Sequence, residues 1–195
     1  MIMNICIFGA SSNRLDPVFF SESRRMGHLI AGAGHSLVFG GGADGLMGAC
    51  ARGALESGGK VIGIAPQLFN EPGFLLPDCT ELLFTESMAA RKEKMFAISD
   101  AFLALPGGIG TMDEFFEAIT LRQLGLLTGP LVLLNTCGFY TPLLAFLKSM
   151  ADGGFMSENC LALLRVSETP EQALEAVLLP DTLSGSIRRL EDYTG

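Results

Sequence analysis

The chain has 195 residues, 49% of them hydrophobic and 17% charged, which gives enough apolar surface for one sizeable core and excludes a disordered chain. Its formal net charge of −8 argues against nucleic acid or an anionic membrane surface as partner, while leaving room for a nucleotide monomer bound in a local pocket. Cys6, Cys50, Cys79, Cys137 and Cys160 are widely spaced with no CxxC pair, so no metal is expected and the thiols read as those of a cytoplasmic protein.

The N-terminal segment lacks a basic n-region and reads directly as a strand over residues 2–8, followed by the turn Gly9-Ala10-Ser11-Ser12. Residues 17–34 read as a helix, with Pro17 at its start and Gly34 past its end. A strand over 36–39 runs into Gly40-Gly41-Gly42, and a helix over 46–57 is closed by Gly58-Gly59. A strand over 61–65 precedes a loop with Pro66, Pro72 and Pro77, the least regular stretch of the core. Then come a short strand over 82–84, a helix over 88–99 capped near Ser87, a strand over 101–105 and a helix over 111–127. A strand over 131–134, a helix over 141–152, a strand over 163–166 and a helix over 170–177 complete the pattern. No apolar run reaches the length of a membrane span. Residues 1–179 are expected to form one nucleotide-binding domain, and residues 180–195 a polar, loosely held tail.

Alternation of helices with near-continuous apolar strands predicts a three-layer, doubly wound α/β fold, a parallel sheet with helices on both faces. Open sheets of this kind bind ligands at the carboxyl ends of their strands, where the topology switches. The three glycine-rich turns, at 9–12, 40–42 and 107–110, all fall at such ends and are expected to converge.

The last turn is the most informative. Leu105-Pro106-Gly107-Gly108-Ile109-Gly110-Thr111-Met112-Asp113-Glu114 follows a strand and opens a helix, whose N-terminus offers free N–H groups and a positive dipole end for a phosphate. Thr111 and Glu114 also fit a capping box, Thr-x-x-Glu, so spacing alone leaves the acid divided between a cap and a ligand group. Arg91 lies on the stripe of Met88, Met95 and Ile98, which makes it either half of a buried ion pair or a guanidinium aimed at an anion. Lys92 and Lys94 are placed toward solvent, and His28 and His35 show no catalytic pattern. Gly40-Gly41-Gly42-Ala43-Asp44-Gly45 formally fits the dinucleotide GxGxxG, but it follows the second strand, and Ile64-Ala65-Pro66-Gln67 supplies no acid for a ribose. A nucleotide turn and a pure packing turn both remain open for it.

Gly40-Gly41-Gly42-x-x-Gly45-Leu46-Met47-Gly48, then Met88-x-x-Arg91-Lys92, then Pro106-Gly107-Gly108-x-Gly110-Thr111-x-x-Glu114 resemble the motifs of the LONELY GUY family, long labelled lysine decarboxylases. The resemblance runs from about residue 4 to about residue 177 and implies a Rossmann-like fold, a homodimer and cytokinin riboside 5′-monophosphate phosphoribohydrolase activity, often extending to AMP, with no cofactor. It assigns catalysis to Arg91 and Glu114. Substrate binding falls to Gly9 and Ser11, Gly41 and Gly42, Met88 and Lys92, and to Pro106, Gly107, Gly108, Gly110, Thr111, Asp113 and Thr120. The chain departs from the family pattern at Asp113-Glu114, where many members have Glu-Glu, and at Leu121-Arg122-Gln123, where many have Trp-Ala-Gln. No lysine stands in a Schiff-base context, so the decarboxylase label is not expected to hold. A nucleotide sensor or carrier without turnover is the alternative.

Overall fold

The computed structural model describes residues 1–180, and it is a seven-stranded, wholly parallel sheet with helices on both faces. The expected tail, 180–195, lies outside the described residues beyond Pro180. The first half runs β1 (Asn4–Phe8), α1 (Pro17–Gly32), β2 (Ser36–Phe39), α2 (Gly45–Glu56), β3 (Val61–Pro66) and β4 (Glu81–Thr85). The second runs α3 (Met88–Ile98), β5 (Ala101–Ala104), α4 (Ile109–Gln123), β6 (Leu131–Leu134), α5 (Thr141–Asp152), α6 (Glu158–Leu161), β7 (Leu164–Ser167) and α7 (Pro170–Leu178). The strand order is β4-β3-β2-β1-β5-β6-β7. The chain winds outward from β1 to β4 and then returns to place β5 on the other side of β1, so the crevice above β1 and β5 is the switch point.

Side chains alternate across the sheet and feed two cores. Ile5 and Ile7 point toward one face and join Met26, Ile30, Leu37 and Phe39 beneath α1, α2 and α7. Cys6 and Phe8 point the other way and join Met95, Phe102, Phe115 and Tyr140 beneath α3, α4 and α5. Both faces being covered, β2, β5 and β6 are buried along their whole length.

The element boundaries depart from the sequence reading where glycine decides them. Helix α4 starts at Ile109 rather than 111, because Gly108 takes the N-cap with extended backbone (φ −92°, ψ −155°). It stops at Gln123 rather than 127, where Gly125 follows in the left-handed region (φ 73°). The short α6 and the single 3₁₀ turns at Gln67–Phe69 and Thr136–Gly138 carry too little periodicity to be read from sequence. On α3 the buried stripe is Arg91, Met95 and Phe96, whereas Met88, expected in the core, is 40% exposed.

Candidate active site

The three glycine-rich turns meet, as expected, and hydrogen bonds join them into one scaffold. Ala10 N–H donates to the Pro106 carbonyl at 3.1 Å, and Leu46 N–H donates to the Ala10 carbonyl at 2.8 Å. The Asn13 side chain clasps the second turn, accepting from Gly45 N–H at 2.9 Å and donating to Asp44 at 2.8 Å. A Cβ on Gly45 would stand 2.2 Å from the Ala10 carbonyl oxygen, and its φ is +66°. The third glycine of the GxGxxG-like run therefore serves the approach of one loop to another. With Pro66 and Gln67 where a ribose-binding acid would stand, the dinucleotide reading loses its support.

Above this scaffold lies a cavity of about 390 Å³. One wall is the start of α4, where Gly108, Ile109, Gly110 and Thr111 line the cavity. The helical ladder begins with Met112 N–H donating to the Gly108 carbonyl at 3.0 Å, and no side chain caps the end. The N–H groups of the first three helical residues thus sit at an uncapped, positive helix end. Thr111 is the third helical residue and not the N-cap, so the capping-box reading of Thr111 and Glu114 falls.

Glu114 comes one turn further along α4 and is buried, as is Arg91. The Arg91 Nη2 lies 2.8 Å from Glu114 Oε1, and Arg91 Nε donates to the Ile64 carbonyl at 3.1 Å. The buried-pair alternative read for Arg91 therefore holds, and the pair lines the cavity. The guanidinium packs closely against the second turn, so a Cβ on Gly40 would stand 1.9 Å from Arg91 Nη2. Burial pushes the Glu114 carboxyl above its ordinary value; Arg91 opposes that shift, and Asp113 adds to it. Behind the phosphate-type turn, Tyr140 Oη donates to the Leu105 carbonyl at 2.6 Å, and Tyr140 N–H donates to Asn135 Oδ1 at 2.6 Å.

Of the residues marked from sequence, Gly9, Ser11, Gly42, Arg91, Gly108, Gly110, Thr111 and Glu114 line this cavity. Pro106 and Gly107 line a neighbouring apolar pocket of about 290 Å³ on the other side of the turn. Gly41 braces the second turn instead, its carbonyl accepting from Leu76 N–H at 2.9 Å. Met88 stands outside the cavity with its Sδ 3.9 Å from Arg91 Nη1. Asp113 and Thr120 are on the outer flank of α4, and Lys92 reaches that flank from α3: Lys92 Nζ bridges Asp113 at 2.9 Å and Glu117 at 2.5 Å, and the Thr120 hydroxyl donates to the Phe116 carbonyl at 2.8 Å. None of the three lines the cavity: Asp113 and Thr120 line a shallow groove on the other side of α4, and Lys92 reaches that side from α3. Lys92 is also less free than a solvent-facing lysine, with its side chain only 15% exposed. Sequence reasoning missed Asn13, which clasps the second turn, and the loop residues Phe69, Phe74 and Leu75, which wall the cavity from outside any motif.

None of the four lysines reaches the cavity. Lys60 pairs with Glu81 at 2.6 Å, Lys92 with α4, and Lys148 with Asp152 at 2.8 Å, while Lys94 is exposed on α3. Among the described residues no cluster of His, Cys, Asp and Glu is arranged to hold a metal. No helix of the described residues is long and apolar enough to cross a membrane.

The sheet order and the crevice at its switch point are those of a Rossmann-like α/β protein. A family model described as "Possible lysine decarboxylase" matches residues 47–177. The chain belongs to that family, the LONELY GUY family that its motifs resemble. It is 42% identical over 156 residues to a cytokinin riboside 5′-monophosphate phosphoribohydrolase of Rhodococcoides fascians, covering 80% of this chain and 79% of the relative. It is 38% identical over 151 residues to the protein of that name from Mycobacterium tuberculosis, covering 77% and 81%. The fold is shared with a molybdenum cofactor binding protein of Rippkaea orientalis at a TM-score of 0.70 and 23% identity, covering 90% of this chain and 94% of that one.

Proposed function

We propose that this protein hydrolyses the N-glycosidic bond of nucleoside 5′-monophosphates, cytokinin riboside 5′-monophosphates and AMP among them, releasing free base and ribose 5-phosphate. The observation that carries this reading is the buried Arg91–Glu114 pair opening onto the same cavity as the uncapped start of α4. The names of the relatives from Rhodococcoides fascians and Mycobacterium tuberculosis support it.

In the proposed reaction the 5′-phosphate sits on the N–H groups of residues 109–111, with the helix dipole offsetting its charge. Glu114, one turn along, then faces the ribose. Bond breaking between C1′ and the base nitrogen leaves oxocarbenium character on the sugar, which an adjacent carboxylate stabilises. Water adds at C1′ and gives one proton to Glu114; the departing base nitrogen takes up one proton from solvent and Glu114 returns its own to solvent, so atoms and charge balance. Burial raises the proton affinity of Glu114 and makes it a stronger base, while Arg91 keeps it charged and aimed. Arg91 acts through Glu114: its Nε is tied to the Ile64 carbonyl, which fixes the guanidinium plane.

The active form we propose is a cytoplasmic homodimer, with residues 1–179 as one nucleotide-binding domain and without nucleic acid as partner. Exposed Ile109 and Phe116 on the outer flank of α4 support the dimer, and the unpaired state of all five cysteines supports a reducing compartment. The test is incubation of the purified protein with AMP and with isopentenyladenosine 5′-monophosphate. Free base and ribose 5-phosphate are expected in equal amounts. Tight binding with no base released identifies a carrier or sensor instead.

A further inference from the structure

Beyond the phosphate turn and the Arg91–Glu114 pair, one wall of the cavity remains unassigned, and it is apolar. The loop between β3 and β4 brings Phe69, Phe74 and Leu75 to it, and Met47 of α2 also lines the cavity. The two rings are stacked, with centroids 4.9 Å apart and planes 22° from parallel. The loop is not loose there. Ala43 N–H donates to the Phe74 carbonyl at 3.0 Å, Leu76 N–H donates to the Gly41 carbonyl at 2.9 Å, and Gly42 and Leu75 form an antiparallel bridge. The glycine turn that seats Arg91 thus also holds the aromatic pair. Yet Phe74 is 54% exposed, a large apolar ring at the cavity wall with half its surface uncovered.

We infer that Phe69 and Phe74 form the base subsite, stacking the planar base of the nucleotide and favouring bases that carry an apolar substituent. This rests on the nucleotide reading given above and adds to it the residues that set specificity. Among the described residues lining the cavity, the polar side chains are Ser11 on the first turn, Thr111 at the helix end, and the mutually paired Arg91 and Glu114. The aromatic wall brings no hydrogen-bonding side chain with which to read the edge of a base. Selection there works by ring stacking and apolar contact, which tolerate any base and reward added hydrocarbon.

The experiment compares wild type with Phe74→Ala, Phe69→Ala and Phe74→Trp, using AMP, isopentenyladenosine 5′-monophosphate and ribose 5-phosphate, which lacks the base. Phe74→Ala is expected to lower kcat/KM for the isopentenyl nucleotide roughly tenfold, in line with the loss of one base–aromatic stack. The drop for AMP is smaller, and inhibition by ribose 5-phosphate stays within about twofold, because stacking acts on the base alone. Phe74→Trp retains the preference. Equal loss for ribose 5-phosphate and nucleotide, or no loss for either, overturns the subsite. If the wild type releases no base, the hydrolase reading fails on its own. The same comparison is then made on dissociation constants by calorimetry, where Phe74→Ala must weaken the nucleotide and spare ribose 5-phosphate.

Discussion

Arg91 and Glu114 approach to 2.8 Å with only 6% of each residue exposed, so each charge is compensated chiefly by the other. Removing one partner leaves the other buried and uncompensated, which costs about 3–5 kcal/mol in comparable pairs. Glu114→Gln keeps the shape and the volume but loses the charge and the basic oxygen. Its turnover of AMP is expected to fall about 10²–10⁴-fold, with folding retained. Arg91→Ala is expected to lose turnover similarly and also to melt several degrees lower. Base release by chromatography and thermal unfolding check the two variants side by side.

The same burial fixes a pH dependence. To serve as the proposed base Glu114 must be deprotonated, and its carboxyl is shifted up, chiefly by burial. The acid limb of the kcat/KM profile is therefore expected above the ordinary glutamate range. Replacing Arg91 with Met removes the charge that opposes the shift and moves the limb to still higher pH. For stability the sign is opposite to that of a paired surface acid. The folded state binds this proton more tightly than the unfolded chain does, so Glu114 contributes stability at low pH that is lost as pH rises from the ordinary value through the raised one. Glu114→Gln abolishes that slope, which unfolding midpoints at stepped pH values measure.

Gly40 is expected to be as intolerant as the residues it serves. A methyl group there would stand 1.9 Å from Arg91 Nη2, so in Gly40→Ala either the guanidinium or the turn must move. Overpacking of this kind costs about 1–3 kcal/mol. Displacing Arg91 also unseats Glu114, and turnover is expected to fall nearly as far as in Arg91→Ala. The double variant Gly40→Ala/Arg91→Ala is expected to lose little activity beyond Arg91→Ala alone, because both substitutions act on one contact. Additive losses would show that Gly40 matters for another reason.

Arg91 and Glu114 show why part of the site was legible in the sequence. Each is a charged residue at a position where periodicity demands burial or a positive helix end, and such conflicts mark function. The sheet was legible because β2, β5 and β6 are continuous apolar runs bounded by glycine. Thr111 was misread as a possible cap because residue spacing does not reveal that Gly108, with no side chain to offer, holds the N-cap. Lys92, Asp113 and Thr120 followed the motif in sequence but not in space, since a helix turns each residue 100° from the last. Phe69 and Phe74 left no signal, because a proline-rich loop has no period from which its fold-back onto Gly41–Ala43 is readable.

Asn13 tests whether the three turns act as one scaffold. Its side chain is bound at both ends, to Gly45 N–H and to Asp44. Asn13→Ala removes both bonds at a surface-exposed position and is expected to cost about 1 kcal/mol of stability. The functional effect is expected to be larger on KM than on kcat. The second turn positions Gly42 and the aromatic loop, whereas Arg91, though it packs on Gly40, is hydrogen-bonded to Ile64 and paired with Glu114 of α4. Asn13→Asp adds a carboxylate beside Asp44 and is expected to be worse than alanine at neutral pH and to recover toward it as the pH falls. Steady-state kinetics on AMP at two pH values distinguish these variants.

The outer flank of α4 makes the oligomer testable. Ile109 is 87% exposed, and it shares a shallow surface groove with Met112, Phe116 and Thr120, flanked by Asp113 and Glu117. Apolar surface of this kind, one turn from the phosphate-type helix end, fits a two-fold contact between copies of this chain. Phe116→Asp places a charge in that contact and is expected to turn the proposed dimer into a monomer. The Lys92 bridge to Asp113 and Glu117 lies on the same flank, so Lys92→Met is expected to weaken the dimer while leaving the cavity intact. Multi-angle light scattering over a concentration series reads both. A Phe116→Asp protein that keeps the mass of the wild type would place the interface elsewhere on the surface.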